Sequence, residues 1–143
     1  DAVRRTARSL AYLLGKFDRT KLYFIAPDEM QIKPDILEYL DKHNVSYERT
    51  SKADGILPHV DVVYQTRIDR ERLRKRDIDL TPYNIDGSVL ASMKPDAIVM
   101  HPLPRSVEID RAVDADRRAA YFRQTQNGLY LRMALLTMLL DTE

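Results

Sequence analysis

Four short apolar runs alternate with stretches of helical periodicity, and this alternation narrows the folds open to the chain more than any other feature. Leu22 to Ala26 reads LYFIA and is stopped by Pro27. Val45 to Glu48 is a weaker run, Asp61 to Gln65 reads DVVYQ, and Ala97 to Met100 reads AIVM. Short runs rich in β-branched and aromatic residues, bounded by turn formers, predict buried strands. Around them, apolar residues recur at helical spacing. Ala7, Leu10, Ala11, Leu14 and Phe17 predict an amphipathic helix from Arg4 to Phe17. Pro34 suits the first turn of a helix whose Ile36, Leu37 and Leu40 face inward. Ser51 to Leu57, Arg70 to Arg76 and Ser88 to Met93 are expected as short helices. Arg118 to Leu140 is expected as a long one, loosened at Gly128 by ~1 kcal/mol relative to alanine. The pattern predicts an α/β fold, a parallel sheet of about four to five strands covered by helices on both faces. The first element is a helix, whereas a doubly wound domain leads with a strand, so a leading strand is expected to be missing or supplied from elsewhere.

In such sheets, ligands bind beyond the carboxyl ends of the strands. Two polar motifs stand at those ends: Gln65-Thr66-Arg67 after the third run and His101-Pro102-Leu103-Pro104-Arg105 after the fourth. Two prolines directly after a buried strand fix the backbone and remove two N–H donors. The carbonyls of Pro102, Leu103 and Pro104 are then open to a ligand bearing N–H groups, and so tight a turn suits a cis bond before Pro104. The bland reading of the same string is a stiff exit from a strand. Arg4, Arg5, Arg8, Arg67 and Arg105 cluster near the predicted strand ends or the first helix. Convergent guanidiniums suit a dicarboxylate or a phosphate, because each grips an oxyanion with two parallel hydrogen bonds. From charge alone, Arg4, Arg8, Arg70, Arg72, Arg74 and Lys75 read as solvated surface. His101 by itself reads as a structural histidine. His43 and His59 sit in polar segments and share no metal-like spacing with it.

Composition removes several other classes. The 143 residues suit one domain, with 44% hydrophobic and 31% charged residues as in ordinary globular proteins. Lys+Arg 23 against Asp+Glu 22 leaves a net charge of +1, which gives no electrostatic case for nucleic acid or an acidic membrane. There is no cysteine, hence no disulfide, thiolate metal site or cysteine nucleophile. No apolar run approaches the ~20 residues that span a bilayer. No targeting segment is visible, and the compartment, cytoplasmic or organellar, is left open.

Taken in order, the motifs resemble a known family. Arg5-Thr6 with Ser9-Leu10, then Thr66-Arg67-Ile68 with Arg70-Glu71-Arg72, then His101-Pro102-Leu103-Pro104-Arg105, then Ala119-Ala120-Tyr121-Phe122-Arg123-Gln124 with Asn127-Gly128, look like the C-terminal domain of aspartate carbamoyltransferases, especially plant-like ones. The ornithine branch carries a cysteine where Pro102 stands. The resemblance covers nearly the whole chain and implies one aspartate-binding domain over residues 1–143, a Rossmann-like half of such an enzyme. It implies carbamoyl transfer from carbamoyl phosphate to the aspartate amine, in pyrimidine synthesis, with no metal or organic cofactor. By resemblance, Arg5 and Arg67 bind the two substrate carboxylates and Glu71 orients the second arginine. The carbonyls of Leu103 and Pro104 accept the carbamoyl amino protons, and Arg132 is structural. No catalytic residue is expected within this chain alone.

Three positions depart from the family pattern. Arg4 stands where the family has glycine, Asp69 where it has a glutamine, and Val107 where it has an acid. A carboxylate at Asp69, ~4 Å from a substrate carboxylate at an effective dielectric near 20, would repel it by about 4 kcal/mol before screening. The resemblance also implies a carbamoyl-phosphate domain bearing a serine-threonine-arginine phosphate loop, a histidine and a further glutamine, none of which lies in these residues. The chain is therefore expected to be inactive alone and to need that domain, or another subunit, within an oligomeric assembly. Its last helix, apolar around most of its circumference, points the same way. The alternative is a degenerate relative that serves as a structural subunit of a larger assembly.

Overall fold

In the computed structural model, residues 2–67 and 78–140 are described, with side chains from Arg5 onward. Two compact units emerge. One is built on residues 2–56 and 78–84, the other on residues 57–67 and 85–140.

The first unit begins with helix α1 (Ala2–Leu14), followed by strand β1 (Lys21–Ile25), helix α2 (Pro34–Lys42) and strand β2 (Ser46–Thr50). The apolar stripe of α1 meets that of α2, and Ala11, Ile36 and Leu40 form its buried centre. Burying side chains the size of Ile36 or Leu40 contributes ~1.5–3 kcal/mol each. Tyr12 and Tyr39 meet edge to face with ring centroids 4.4 Å apart. The expected helix to Phe17 stops at Leu14, and Phe17 is exposed. Beyond Leu14 the chain closes turns instead, with the Lys16 N–H on the Leu13 carbonyl at 3.1 Å and the Phe17 N–H on the Leu14 carbonyl at 3.0 Å. At Gly15 an added Cβ would stand 2.8 Å from the Tyr39 ring, so that ring would have to shift. Pro34 opens α2 as expected, Asp35 lies in its first turn and Lys42 in its last, both matching the helix dipole. Arg8 grips Asp35 through both oxygens.

Strands β1 and β2 run parallel, from Lys21 opposite Ser46 to Ile25 opposite Thr50. Asn44, in the left-handed region with φ 55, turns the chain from α2 into β2. The helix expected over Ser51 to Leu57 is absent. The Thr50 hydroxyl takes the Lys52 N–H, Ile56 N–H closes a turn onto Ala53, and Gly55 has φ 75. Local side-chain bonds and a left-handed residue outcompete a helix here.

The second unit contains strand β3 (Val62–Tyr64), helix α3 (Gly87–Ser92), strand β4 (Ile98–Met100) and helix α4 (Tyr121–Leu140). Asp86 caps α3, accepting from the N–H groups of Ser88 at 2.9 Å and Val89 at 3.1 Å. Strands β3 and β4 are parallel, with Tyr64 opposite Met100. Ile85, Leu90, Met93, Ala97, Val99, Ile109, Val113 and Tyr121 make the core.

The four strands are thus parallel and flanked by helices, but they form two hydrogen-bonded pairs, β1–β2 and β3–β4, where one sheet was expected. Apolar runs identify strands without saying which edges pair. The second edge of β4 is taken by the approach to α4: Val99 donates to Arg118 and Ala120 donates back to Val99. That pairing also delays α4 to Tyr121, three residues later than its periodicity suggests. Gly128 does not interrupt the helix.

Candidate functional site

The parallel pairing of β3 and β4 brings two of the sequence-predicted motifs to one edge. Gln65 N–H bonds the Met100 carbonyl at 3.0 Å, extending the pair by one residue. Thr66-Arg67 and His101-Pro102-Leu103-Pro104 then leave side by side from the carboxyl ends. Arg67 is exposed, while Leu103 is half-buried against the core. The Leu103–Pro104 bond is cis, as the tight turn suggested, and Leu103 has φ 49. A left-handed leucine costs roughly 1–2 kcal/mol and persists only where its surroundings hold it.

Those surroundings are polar and buried. His101 is 1% exposed. Its Nδ1 accepts the Leu103 N–H at 2.9 Å, which places the ring proton on Nε2, where it donates to Glu108 Oε1 at 3.0 Å. Burial pushes the His101 pKa below its ordinary value, against a smaller upward pull from Glu108. A neutral imidazole suits this arrangement, since protonating Nδ1 would cost the Leu103 bond. Glu108 Oε1 also accepts the Ser106 N–H at 3.0 Å, and Gln124 Oε1 accepts the His101 N–H at 3.0 Å. Both ring nitrogens of His101 are therefore engaged in shaping the loop, and neither is left for proton transfer or a metal.

Arg105 is likewise committed within the protein. Its guanidinium holds Asp114 bidentately and reaches the Tyr121 hydroxyl at 3.3 Å. That hydroxyl also donates to Asp114. Burial, then the Asp114 carboxylate, pushes the Tyr121 pKa up to about 12, while Arg105 holds Asp114 below the usual carboxylate range. Arg105 thus braces the turn against the start of α4.

The other candidates belong to other elements. Arg5 is an exposed residue of α1 in the first unit. The Arg132 guanidinium folds back on its own helix and donates to the Gly128 carbonyl at 2.9 Å. Asp69 and Glu71 lie outside the described residues, and so does the helix expected over Arg70 to Arg76. Val107, where the family pattern has an acid, is exposed. His43 and His59 are exposed. Among the described residues no three His, Asp or Glu converge as metal ligands, and no helix is long and apolar enough to cross a membrane.

Sequence reasoning missed Glu108, Asp114 and the anchoring role of Gln124. Each acts through a contact made by chain return. The one available signal was that every nitrogen of a histidine behind a proline turn must find a partner when buried. In chemical terms, the edge offers an exposed guanidinium beside a rigid turn whose carbonyls carry no neighbouring N–H competitor at Pro102 and Pro104. Such a pairing suits a ligand with one carboxylate and one amide-like group.

Comparison with known proteins gives the same direction. Residues 1–139 match the model of the aspartate/ornithine carbamoyltransferase family, Asp/Orn binding domain. The chain is 51% identical over 141 residues to the chloroplastic aspartate carbamoyltransferase of Arabidopsis thaliana, covering 95% of this chain and 36% of that protein. It is 50% identical to the chloroplastic enzyme of Oryza sativa subsp. japonica, covering 39% of it. Among solved structures, aspartate transcarbamoylase of Trypanosoma cruzi in complex with N-(phosphonacetyl)-L-aspartic acid superimposes with a TM-score of 0.83 at 37% identity, over 95% of this chain and 46% of that one. The chain therefore spans between 36% and 46% of the length of these relatives.

Proposed function

We propose a role for this chain from the premise that it belongs to the aspartate/ornithine carbamoyltransferase family and forms its aspartate-binding domain: it supplies the aspartate half of a carbamoyl-transfer site. The observation that carries the reading is the exposed Arg67 leaving the same edge as the Leu103 and Pro104 carbonyls. In the proposed reaction the aspartate amine attacks the carbamoyl carbon of carbamoyl phosphate. The new C–N bond forms, the C–O bond to phosphate breaks, and the departing phosphate takes that bond's electron pair and the proton that the amine releases. Arg67 holds one aspartate carboxylate and Arg5 the other, with Glu71 orienting Arg67. The Leu103 and Pro104 carbonyls accept the carbamoyl amino protons. Catalysis of this kind rests on positioning and on electrostatics prepared in advance.

The electrophile must be held by a carbamoyl-phosphate domain, which the greater length of the relatives supports. Helix α4 supplies a second support. Leu129, Leu131, Met133, Leu135, Leu136, Met138, Leu139 and Leu140 are all exposed and crowd most of its circumference, a pattern of a helix covered by another domain. The test joins this chain to a carbamoyl-phosphate domain and supplies both substrates. Carbamoyl aspartate and phosphate should form with the joined protein and not with the chain alone. Robust turnover by the isolated chain would overturn the division of labour.

A second reading, a degenerate structural subunit of a larger assembly, is favoured by Asp69, whose charge opposes that of a dicarboxylate. Calorimetric titration of succinate into the joined protein separates the two. Asp69→Gln should strengthen binding by ~1–3 kcal/mol if the charge obstructs the site. Unchanged or weaker binding would remove the best residue-level support for degeneracy.

A further inference from the structure

Glu108 takes part in no substrate contact named above, yet it lies buried, 3% exposed, beneath the turn that presents the carbonyls. A carboxyl costs more to bury than an apolar side chain of its size, so its place here calls for a task that leucine could not perform. Its backbone is anchored: the Ile85 N–H donates to the Glu108 carbonyl and the Asp110 N–H to the Ile85 carbonyl, both at 2.9 Å. From that base its Oε1 takes two donors, the Ser106 N–H and the His101 Nε2–H, each at 3.0 Å. His101 is held at its own N–H by Gln124 Oε1 at 3.0 Å, and its Nδ1 takes the Leu103 N–H at 2.9 Å. A line of hydrogen bonds therefore runs from an anchored backbone through a carboxyl and an imidazole to Leu103. Leu103 is the left-handed residue of the turn, with φ 49, and its carbonyl is one of the two that the proposed reaction uses.

We propose that Glu108 is a positioning residue that acts through His101 to hold Leu103, and with it the Leu103 carbonyl, in place for the carbamoyl amino group. The proposal rests on the aspartate-site reading. Its chemistry is that of a tautomer. A neutral imidazole carries one proton, on either of its nitrogens. With the Glu108 acceptor beside Nε2 the proton stays there, and Nδ1 keeps its lone pair for the Leu103 N–H. Without that acceptor the proton is free to move to Nδ1, where it meets the Leu103 N–H donor to donor. The turn then loses the bond that pins a left-handed leucine, and small misplacements of groups that position a substrate cost rate steeply.

The test uses the intact protein that carries this domain, with steady-state kinetics in aspartate. Glu108→Leu, which removes the acceptor at similar volume, should lower kcat on the order of 10-fold and leave KM for aspartate within about twofold, because the arginines that grip the carboxylates are untouched. Glu108→Gln should recover most of that loss. Its amide oxygen takes the place of Oε1, since an amide nitrogen there would face two donors. Two further variants divide the histidine. His101→Gln keeps a donor for Glu108 and loses the acceptor for Leu103, whereas His101→Asn keeps the acceptor and loses the donor. His101→Gln should therefore be the slower of the two. A residue serving only the fold would lower the melting temperature without this split between kcat and KM. A Glu108→Leu kcat within about twofold of wild type, or a Glu108→Gln variant as slow as Glu108→Leu, overturns the role of Glu108. Should Glu108→Leu fail to fold, equal kcat in the two His101 variants overturns it. Absence of turnover in the wild type overturns instead the reading on which the proposal rests.

Discussion

The two units face the same task, tying together the carboxyl ends of a parallel strand pair, and they meet it with different chemistry. In the first, the Gln31 amide donates to the Ala26 carbonyl at 2.7 Å and the Thr50 carbonyl at 2.9 Å, bridging the ends of β1 and β2. Its own oxygen is buried with no partner. In the second, His101, Glu108, Ser106, Leu103 and Gln124 bond one another reciprocally around the exit of β4. A buried polar network specifies one geometry when its members are satisfied. A lone amide with an orphaned oxygen ties strands but specifies less. The difference teaches where this fold spends its polar interior: around the turn that presents carbonyls, and sparingly elsewhere.

The strongest way to break the comparison is to remove the apolar centre of the first unit. Leu40 is fully buried among Ala11, Ile36 and their aromatic neighbours. Leu40→Ala should destabilise by ~2–5 kcal/mol, read by chemical denaturation. A loss below about 1 kcal/mol would mean that the first unit does not depend on this small core.

Arg67→Ala sharpens the other side. If Arg67 grips an aspartate carboxylate as proposed, the substitution in the joined protein should reduce kcat/KM for aspartate on the order of 100-fold through loss of a charge-assisted contact, with little change in melting temperature because Arg67 is exposed. A large stability loss with unchanged kinetics would reverse its assignment.

The polar network of the second unit should also be visible in acid. The folded protein holds His101 below its ordinary pKa, so below about pH 6.5 the unfolded chain binds the proton more readily. The stability contributed by neutral His101 is present above that pH and is lost as pH falls towards the folded value. His101→Gln should be less stable near neutrality and flatter with pH below about 6.5. An unchanged slope would show that another group carries the acid response.

The smallest effect belongs to Arg8→Gln. The Arg8–Asp35 pair is well formed but solvated, with side-chain exposures of 28% and 50%, and such pairs add little. Its melting temperature should match that of the wild type. A clear drop would place more of the first unit's stability at its surface than its core suggests.

Much of this was legible from local pattern. Pro34 at the start of α2, the inward Ile36 and Leu40, and the tight turn at Pro104 all follow from residue chemistry within a few positions. The edge shared by Arg67 and Leu103 was legible as well, because parallel strands send their carboxyl ends the same way. What stayed hidden required chain return. Residues 118–120 read as helix until Val99 claims their hydrogen bonds. Ser51 to Leu57 has helix-compatible spacing, but the Thr50 hydroxyl and the left-handed Gly55 settle it as turns. Glu108 carries no local signal at all, because its role exists only once the loop folds it under His101.

Helix α4 has a consequence for the life of the protein in a cell. Its leucines and methionines are exposed, and apolar surface left uncovered is what cellular chaperones and proteases act on. Copies made in excess of whatever covers α4 would be withdrawn by aggregation or degradation, so the steady-state amount of this domain would follow the supply of its cover. Substitutions along Leu129–Leu140 would then alter abundance before they altered chemistry, with polar replacements raising the lifetime of the lone chain while weakening assembly.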